Sequence, residues 1–301
     1  MTTEPLNRPG ARWCAAAAAV LAISASTAAC TSPDTDELQV WVSFAPLEYI
    51  TERVAGPEVH VDNLTAPGAD PHSQELSPAR VAELGAADLV VYVSGLQPST
   101  DEAIDQTEPA HVVDTLDAAI ADVPGAAEPP DPSRDPHFWL DPIRLGLATQ
   151  QVADALAEID PDGAAEYQQR AGILIADLEQ LDGDFDTALA PCAGATLVTS
   201  HEAFGYLAAR YDLRQEGISG IDPEVEPSPA RLRDVAAIVE ETGVRTIYFE
   251  TAANPAVAEA LAADLGVETD VLDPMERPSD PDYLTVMRTN LAALERGLVC
   301  G

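Results

Sequence analysis

Past residue 37 the chain alternates between short apolar runs and longer stretches of helical periodicity. Residues 38–44, 59–64 and 88–93 have strand character, and Val112-Val113 adds a brief fourth strand. Residues 46–55 read as a helix that begins at a proline and ends near Gly56. Ser77-Pro78 opens another, with Ser as the cap and Pro in the first turn. Residues 117–135 are acidic and rich in Pro and Ala, which predicts a loop. Two long helical stretches follow. Asp141-Pro142 starts one that runs to about Ile159, and Asp160-Pro161 starts a second that reaches about Leu189.

The second half returns to the first rhythm. Strands are expected at 196–199, 246–249 and 267–272, with helices at 203–211, 229–242, 255–265 and 280–297. Strands that alternate with helices imply parallel sheets covered on both faces. The expected fold class is α/β: two (β/α) lobes joined by one long linker helix, with a ligand in the cleft between them. The expected boundaries are 38–159 for the first lobe, 160–190 for the linker helix and 191–301 for the second lobe.

The N-terminus follows neither rhythm. Arg8 and Arg12 precede an apolar, Ala-rich run over 13–25, and Thr27-Ala28-Ala29-Cys30 closes it. Small residues before a Cys at the end of such a run resemble a bacterial lipobox, although Thr27 stands where Leu is usual. The reading is a signal peptide over 1–29, a lipidated Cys30 and a polar tether over 30–37. An ordinary signal peptide with an incidental Cys is the alternative. Export makes the cysteine arithmetic meaningful. Cys14 leaves with the signal and Cys30 carries lipid, so Cys192 and Cys300 form an even pair in an oxidising compartment. A disulfide between them is expected, with two free buried thiols as the alternative.

Charge narrows the function further. Among 301 residues, 52 are acidic and 15 basic, for a formal net charge of −37. Such a body repels phosphate backbones, which excludes nucleic-acid binding. It attracts cations only diffusely, as a solvated acidic surface does. All 15 basic residues are Arg.

Five His are present, and three of them fall at element boundaries, where α/β folds build sites: His72, His137 and His201. His60 lies within a strand and His111 begins one; both read as structural. The three boundary His are more than sixty residues apart, and no local zinc motif such as C-x-x-C or H-E-x-x-H is present. Spacing alone therefore leaves a metal site open.

The segments around them are more specific. Ala69-Asp70-Pro71-His72, His137-Phe138-Trp139-Leu140-Asp141-Pro142, Thr199-Ser200-His201-Glu202-Ala203-Phe204-Gly205-Tyr206-Leu207 and Val271-Leu272-Asp273-Pro274-Met275 occur in that order. They resemble the metal-binding segments of the zinc and manganese solute-binding lipoproteins of ABC importers, over nearly the whole chain from Trp41 onward. The resemblance implies a rigid linker helix, a metal buried at the lobe interface and delivery of the ion to an ABC permease and its ATPase. It implies a monomer on the outer face of the bacterial cytoplasmic membrane, tied there by its lipid anchor. It makes His72, His137 and His201 ligands, with Asp273 as the expected fourth and Glu250 as the runner-up.

Three imidazoles and one carboxylate suit four-coordinate Zn²⁺, whereas Mn²⁺ favours more oxygen. The manganese branch commonly has a carboxylate where this chain has His201, which tilts the expectation to zinc; Mn²⁺ remains the alternative. Carboxylates that orient the imidazoles are also expected. One departure stands out: many zinc-binding members carry a His-rich loop between the first two ligands, and here 117–135 has no His. The rival classes are a surface adhesin and an exported zinc-dependent hydrolase. The expectation is not an enzyme: Gly205 takes the place of the second His of H-E-x-x-H, and a carboxylate in the fourth position leaves no room for a catalytic water.

Overall fold

The computed structural model describes residues 38–123, 130, 135–250, 255–277 and 281–300. The expected signal peptide over 1–29, the expected lipid-bearing Cys30 and the expected tether over 30–37 lie outside the described residues. No described helix is long and apolar enough to cross a membrane.

The first lobe runs β1 (Gln39–Val42), α1 (Ala45–Ala55), β2 (His60–Asn63), α2 (Pro78–Gly85), β3 (Leu89–Tyr92), α3 (Pro98–Thr107), β4 (Val112–Asp114) and α4 (Leu116–Ile120). Two helices follow, α5 (Pro142–Ile159) and α6 (Ala164–Leu189). The second lobe runs β5 (Thr196–Thr199), α7 (Gly205–Arg210), β6 (Arg214–Gly217), α8 (Pro229–Thr242), β7 (Thr246–Phe249), α9 (Ala256–Leu265), β8 (Glu268–Val271) and α10 (Tyr283–Gly297).

Each lobe is built on a four-stranded parallel sheet, and the two share one topology: β2-β1-β3-β4 and β6-β5-β7-β8. The central strands β1 and β3 are buried almost along their length, so they read as continuous apolar runs and not as alternating ones. Helix starts repeat as well. Ser77 accepts from Arg80 N and Ser228 from Arg231 N, each just before a proline. Asp141 accepts from Ile143 N and Arg144 N at the start of α5.

Helix α6 joins the lobes. Tyr167, Ala171, Leu174, Leu178, Leu181, Phe185 and Leu189 form one buried stripe along it, at alternating steps of three and four residues for most of its length. At ~1.5 Å per residue it spans roughly 40 Å. It packs on α5, α1 and α10, and so touches elements of both lobes. One continuous apolar core runs from Val40 and Leu89 of the first sheet through α6 to Leu197, Tyr248 and Leu294 of the second lobe.

The sequence places the start of this helix at Asp160; the structure places it four residues later. The chain turns at 160–163, and the Asp160 carboxylate accepts from Tyr167 Oη at 2.7 Å instead of capping the helix. Three elements escape the hydrophobic pattern. Helix α3 buries only Thr100 and Ala103, β6 is the polar edge strand Arg-Gln-Glu-Gly, and α4 runs from Leu116 into the stretch expected to be loop. Cys192 and Cys300 are joined by a disulfide, which ties the end of the chain after α10 to the turn before β5.

Candidate metal centre

The site forms where loops leave the carboxyl ends of parallel strands, the usual place for ligands in α/β sheets. His72 sits in the loop after β2, and its backbone N–H donates to Asp70 Oδ1 at 2.8 Å. His137 precedes a single 3₁₀ turn over Phe138–Leu140 that feeds α5. His201 comes directly after β5, and its carbonyl accepts from Thr199 Oγ1 at 2.6 Å. Glu276 ends a turn that begins just after β8.

These four side chains converge. One donor atom from each of His72, His137, His201 and Glu276 lies within 4.8 Å of the others, and the group could hold a metal ion. Glu276 Oε1 is 3.2 Å from His72 Nε2, 3.1 Å from His137 Nε2 and 3.4 Å from His201 Nε2. His137, His201 and Glu276 are buried, and His72 is the one most open to solvent, at 8% exposure of its side chain. His201 Nε2 is buried, and its one polar neighbour among the described residues, Glu276 Oε1 at 3.4 Å, is too poorly placed for a good hydrogen bond. A buried imidazole nitrogen so weakly paired is costly unless something binds it, and a cation answers that cost.

The outer nitrogens are held by carboxylates. His137 Nδ1 lies 2.8 Å from Asp135 Oδ1, and His201 Nδ1 contacts Glu250 Oε1. Each contact fixes the ring plane and directs Nε2 inward, as metal-binding imidazoles require. A glycine makes the first contact possible. A Cβ on Gly205, at the start of α7, would run into Asp135 Oδ2, so the second lobe admits the Asp135 carboxylate only because residue 205 has no side chain.

Charge follows geometry. Burial alone lowers the imidazole pKa values, but contacts with Glu250 and Glu276 outweigh it at His201 and push that group up to about 10. At His137, Asp135 and Glu276 likewise overcome burial and raise it. Burial raises the Glu276 carboxyl, yet its contacts with His137, His201 and His72 prevail and hold it well below the usual range. Without an ion, the Glu276 carboxylate is paired with His137 and His201, each of which holds its proton more tightly than a free imidazole does.

Against the sequence expectations, one correction is needed. Asp273, expected as the fourth ligand, is not in the cluster. Its Oδ1 accepts from Met275 N at 2.8 Å, and its backbone is clamped by Asn290, which donates to its carbonyl at 2.8 Å and accepts from its N–H at 2.9 Å. Asp273 builds the turn. Met275 takes a left-handed φ of 63° within it, and Glu276 is delivered to the imidazoles. Glu250, the runner-up, touches His201 on the far nitrogen. The sequence reading missed Glu276 because Asp273 holds the conspicuous Asp-Pro position, and its carboxylate is taken by the Met275 backbone N–H. His60 and His111 are exposed, and His60 pairs locally with Asp62 at 3.0 Å. Glu202 turns toward Arg231, 3.7 Å away.

A buried cluster of three imidazoles and one carboxylate between two α/β lobes defines a two-lobed metal-binding protein. The chain belongs to the ZnuA family, "Zinc-uptake complex component A periplasmic", whose sequence signature matches residues 40–297. It is 32% identical over 287 residues to the high-affinity zinc uptake system protein ZnuA of Bacillus subtilis, covering 88% of each chain. It is 32% identical over 280 residues to the zinc-binding lipoprotein AdcA of Streptococcus pneumoniae, and there it spans just over half, 56%, of the relative's length. The laminin-binding protein Lbp of Streptococcus pyogenes superposes with a TM-score of 0.76 at 32% identity, covering 87% of this chain and all of that one. Zn(II)-bound AdcA of S. pneumoniae superposes with a TM-score of 0.74 at 31% identity, over 87% of this chain and 57% of that one.

Proposed function

We propose that this protein is the extracytoplasmic binding component of a metal-ion ABC importer, and that it captures Zn²⁺ and delivers it to a membrane permease driven by an ATPase. The observation that carries this reading is the convergence of His72, His137, His201 and Glu276 in a buried site with carboxylates behind two of the rings. Three nitrogens and one oxygen match the tetrahedral preference of zinc better than the oxygen-rich preference of manganese. The relatives named for zinc uptake and zinc binding support the same metal.

The reading includes capture without chemistry. Glu276 closes the fourth position, and Glu250, the nearby carboxylate that a hydrolase would need as a base, is engaged by His201 Nδ1 and Ser200 Oγ. It also includes residues 1–29 as a signal peptide, Cys30 as the lipid anchor, 30–37 as a tether, and lobes at 38–159 and 191–301 around the linker at 160–190. The monomeric state belongs to the same proposal.

Native mass spectrometry with equimolar Zn²⁺ and Mn²⁺ tests it. One tightly held zinc per chain, lost in a His137→Ala, His201→Ala double variant, is the expected result. One manganese would keep the capture role and change the metal. No stoichiometric metal would overturn the reading.

A second role has specific support, because a similar structure from Streptococcus agalactiae is described as a bifunctional protein with adhesin and metal transporting activity. Binding to immobilised laminin that survives in the double variant would assign this chain an adhesin surface separate from the metal site.

A further inference from the structure

Two side chains that are not ligands lie across the mouth of the site. Asp70, two residues before His72, accepts the His72 backbone N–H on Oδ1 at 2.8 Å. Its other oxygen, Oδ2, receives Nη2 of Arg277 at 3.4 Å, and Arg277 directly follows Glu276. The pair is only partly buried, with side-chain exposures of 10% for Asp70 and 27% for Arg277. One carboxylate thus ties the backbone of a first-lobe ligand to the neighbour of the second-lobe ligand.

The pair also borders two cavities. One, of about 520 Å³, reaches His201 and Glu250 and is rimmed by Ser219, Glu224 and Glu226. The other lies along the loop from Leu64 to Arg80. Asp70, Arg277 and Glu224 line both, so the pair sits where the two cavities meet.

We propose that Asp70 and Arg277 form a clasp between the ligand-bearing loops that limits how fast the bound ion leaves. The inference rests on the capture reading above and names two positioning residues for it. An ion can depart only when its ligands separate, and the two loops that the clasp joins carry His72, the most solvent-accessible ligand, and Glu276, the only carboxylate among the four. While the pair is closed, the backbone segments that carry His72 and Glu276 are held together.

Electrostatics alone predicts the opposite sign, which makes the idea testable. A guanidinium beside a cation site repels the cation, so removing its charge should slow release. Removing a clasp should speed it.

The test measures zinc dissociation from the full chain by stopped-flow mixing with a chelator, with zinc stoichiometry checked by native mass spectrometry in every variant. Arg277→Gln is expected to hold one zinc and to release it about two- to fivefold faster, the scale of a partly exposed ion pair. Arg277→Lys should recover most of the wild-type rate. Asp70→Asn keeps an acceptor for the His72 N–H and should release zinc faster by a similar factor, and the Asp70→Asn, Arg277→Gln double variant should be no faster than either single one. The gap between wild type and Arg277→Gln should narrow as salt rises and screens the pair. Release from Arg277→Gln at the wild-type rate or slower would overturn the clasp, as would strictly additive effects in the double variant. Wild-type protein that binds no zinc would instead overturn the capture reading, so the two failures are distinct.

Discussion

Trp139 donates its indole N–H to the carbonyl of Pro274 at 2.8 Å, across the boundary between the lobes. Trp139 lies two residues after His137, with its ring 5.0 Å from the imidazole, and Pro274 lies two residues before Glu276. The bond therefore sets the spacing of two ligands from opposite lobes. Trp139→Phe keeps the apolar packing but strands a buried carbonyl, a cost of about 1–3 kcal/mol. Zinc affinity is expected to fall by roughly tenfold with one ion still bound, as read by competition against a chelator of known strength. Unchanged affinity would mean that the turn holds Glu276 without help from Trp139.

Carboxylate substitutions should sort by role. Glu276→Gln leaves three imidazoles without their buried counter-charge and is expected to weaken zinc by about 3 kcal/mol or more, roughly a hundredfold. Glu250→Gln and Asp135→Asn act through His201 and His137 and should cost about tenfold. Asp273→Asn still offers an oxygen to Met275 N and should bind nearly as wild type. Isothermal titration of the four variants checks the order; a collapse of binding in Asp273→Asn would restore that residue as a ligand.

Zinc must displace protons to enter. His201 holds its proton up to about pH 10 without metal, and the His137 pKa is raised as well. At neutral pH the His201 proton should leave for each ion bound, and log K should climb by about one per pH unit until that group loses its proton. Titration in two buffers of different ionisation enthalpy counts the protons directly, and a count of zero would refute the protonated resting site. Metal-free stability moves the other way. Because the folded His201 pKa lies above its ordinary 6.5, its contribution is complete below about pH 6.5 and is lost as pH rises through about 10.

Gly205 offers a remote lever on affinity. Gly205→Ala would drive a methyl group into Asp135 Oδ2 and turn His137 away from the other ligands. Since an alanine suits a helix better than glycine does, the isolated helix should not suffer. The expected result is a drop in zinc affinity of tenfold or more with near-normal circular dichroism. Full affinity would show that Asp135 has room to yield.

Much of this was legible in the sequence, and the pattern of misses has a physical cause. His72, His137 and His201 stand in loops that begin or end regular elements, so strand and helix signals located them. Glu276 was hidden because Asp273 occupies the conspicuous Asp-Pro position, while the residue three places on is presented only by a left-handed Met275. Periodicity does not encode a positive φ. Helix α3 and strand β6 were missed because both bury little, and a hydrophobic pattern reports burial before it reports backbone shape. Asp160-Pro161 resembles a helix start, but a tertiary partner, the Tyr167 hydroxyl, takes the carboxylate that would have capped it.

The apolar core that passes from one sheet through α6 into the other has a thermodynamic consequence. Two bodies that swing about a hinge need a seam of water or weak contact between them; here the seam is filled with Leu174, Leu178, Leu181 and their neighbours. Heating should melt both lobes in one cooperative transition, and bound zinc should raise that whole transition instead of one half of it. A wide opening would expose the core and cost a large share of the folding free energy. Loss of the ion is thus left to the loops alone: the backbone around His72 and Glu276 must loosen on a body that stays folded in one piece.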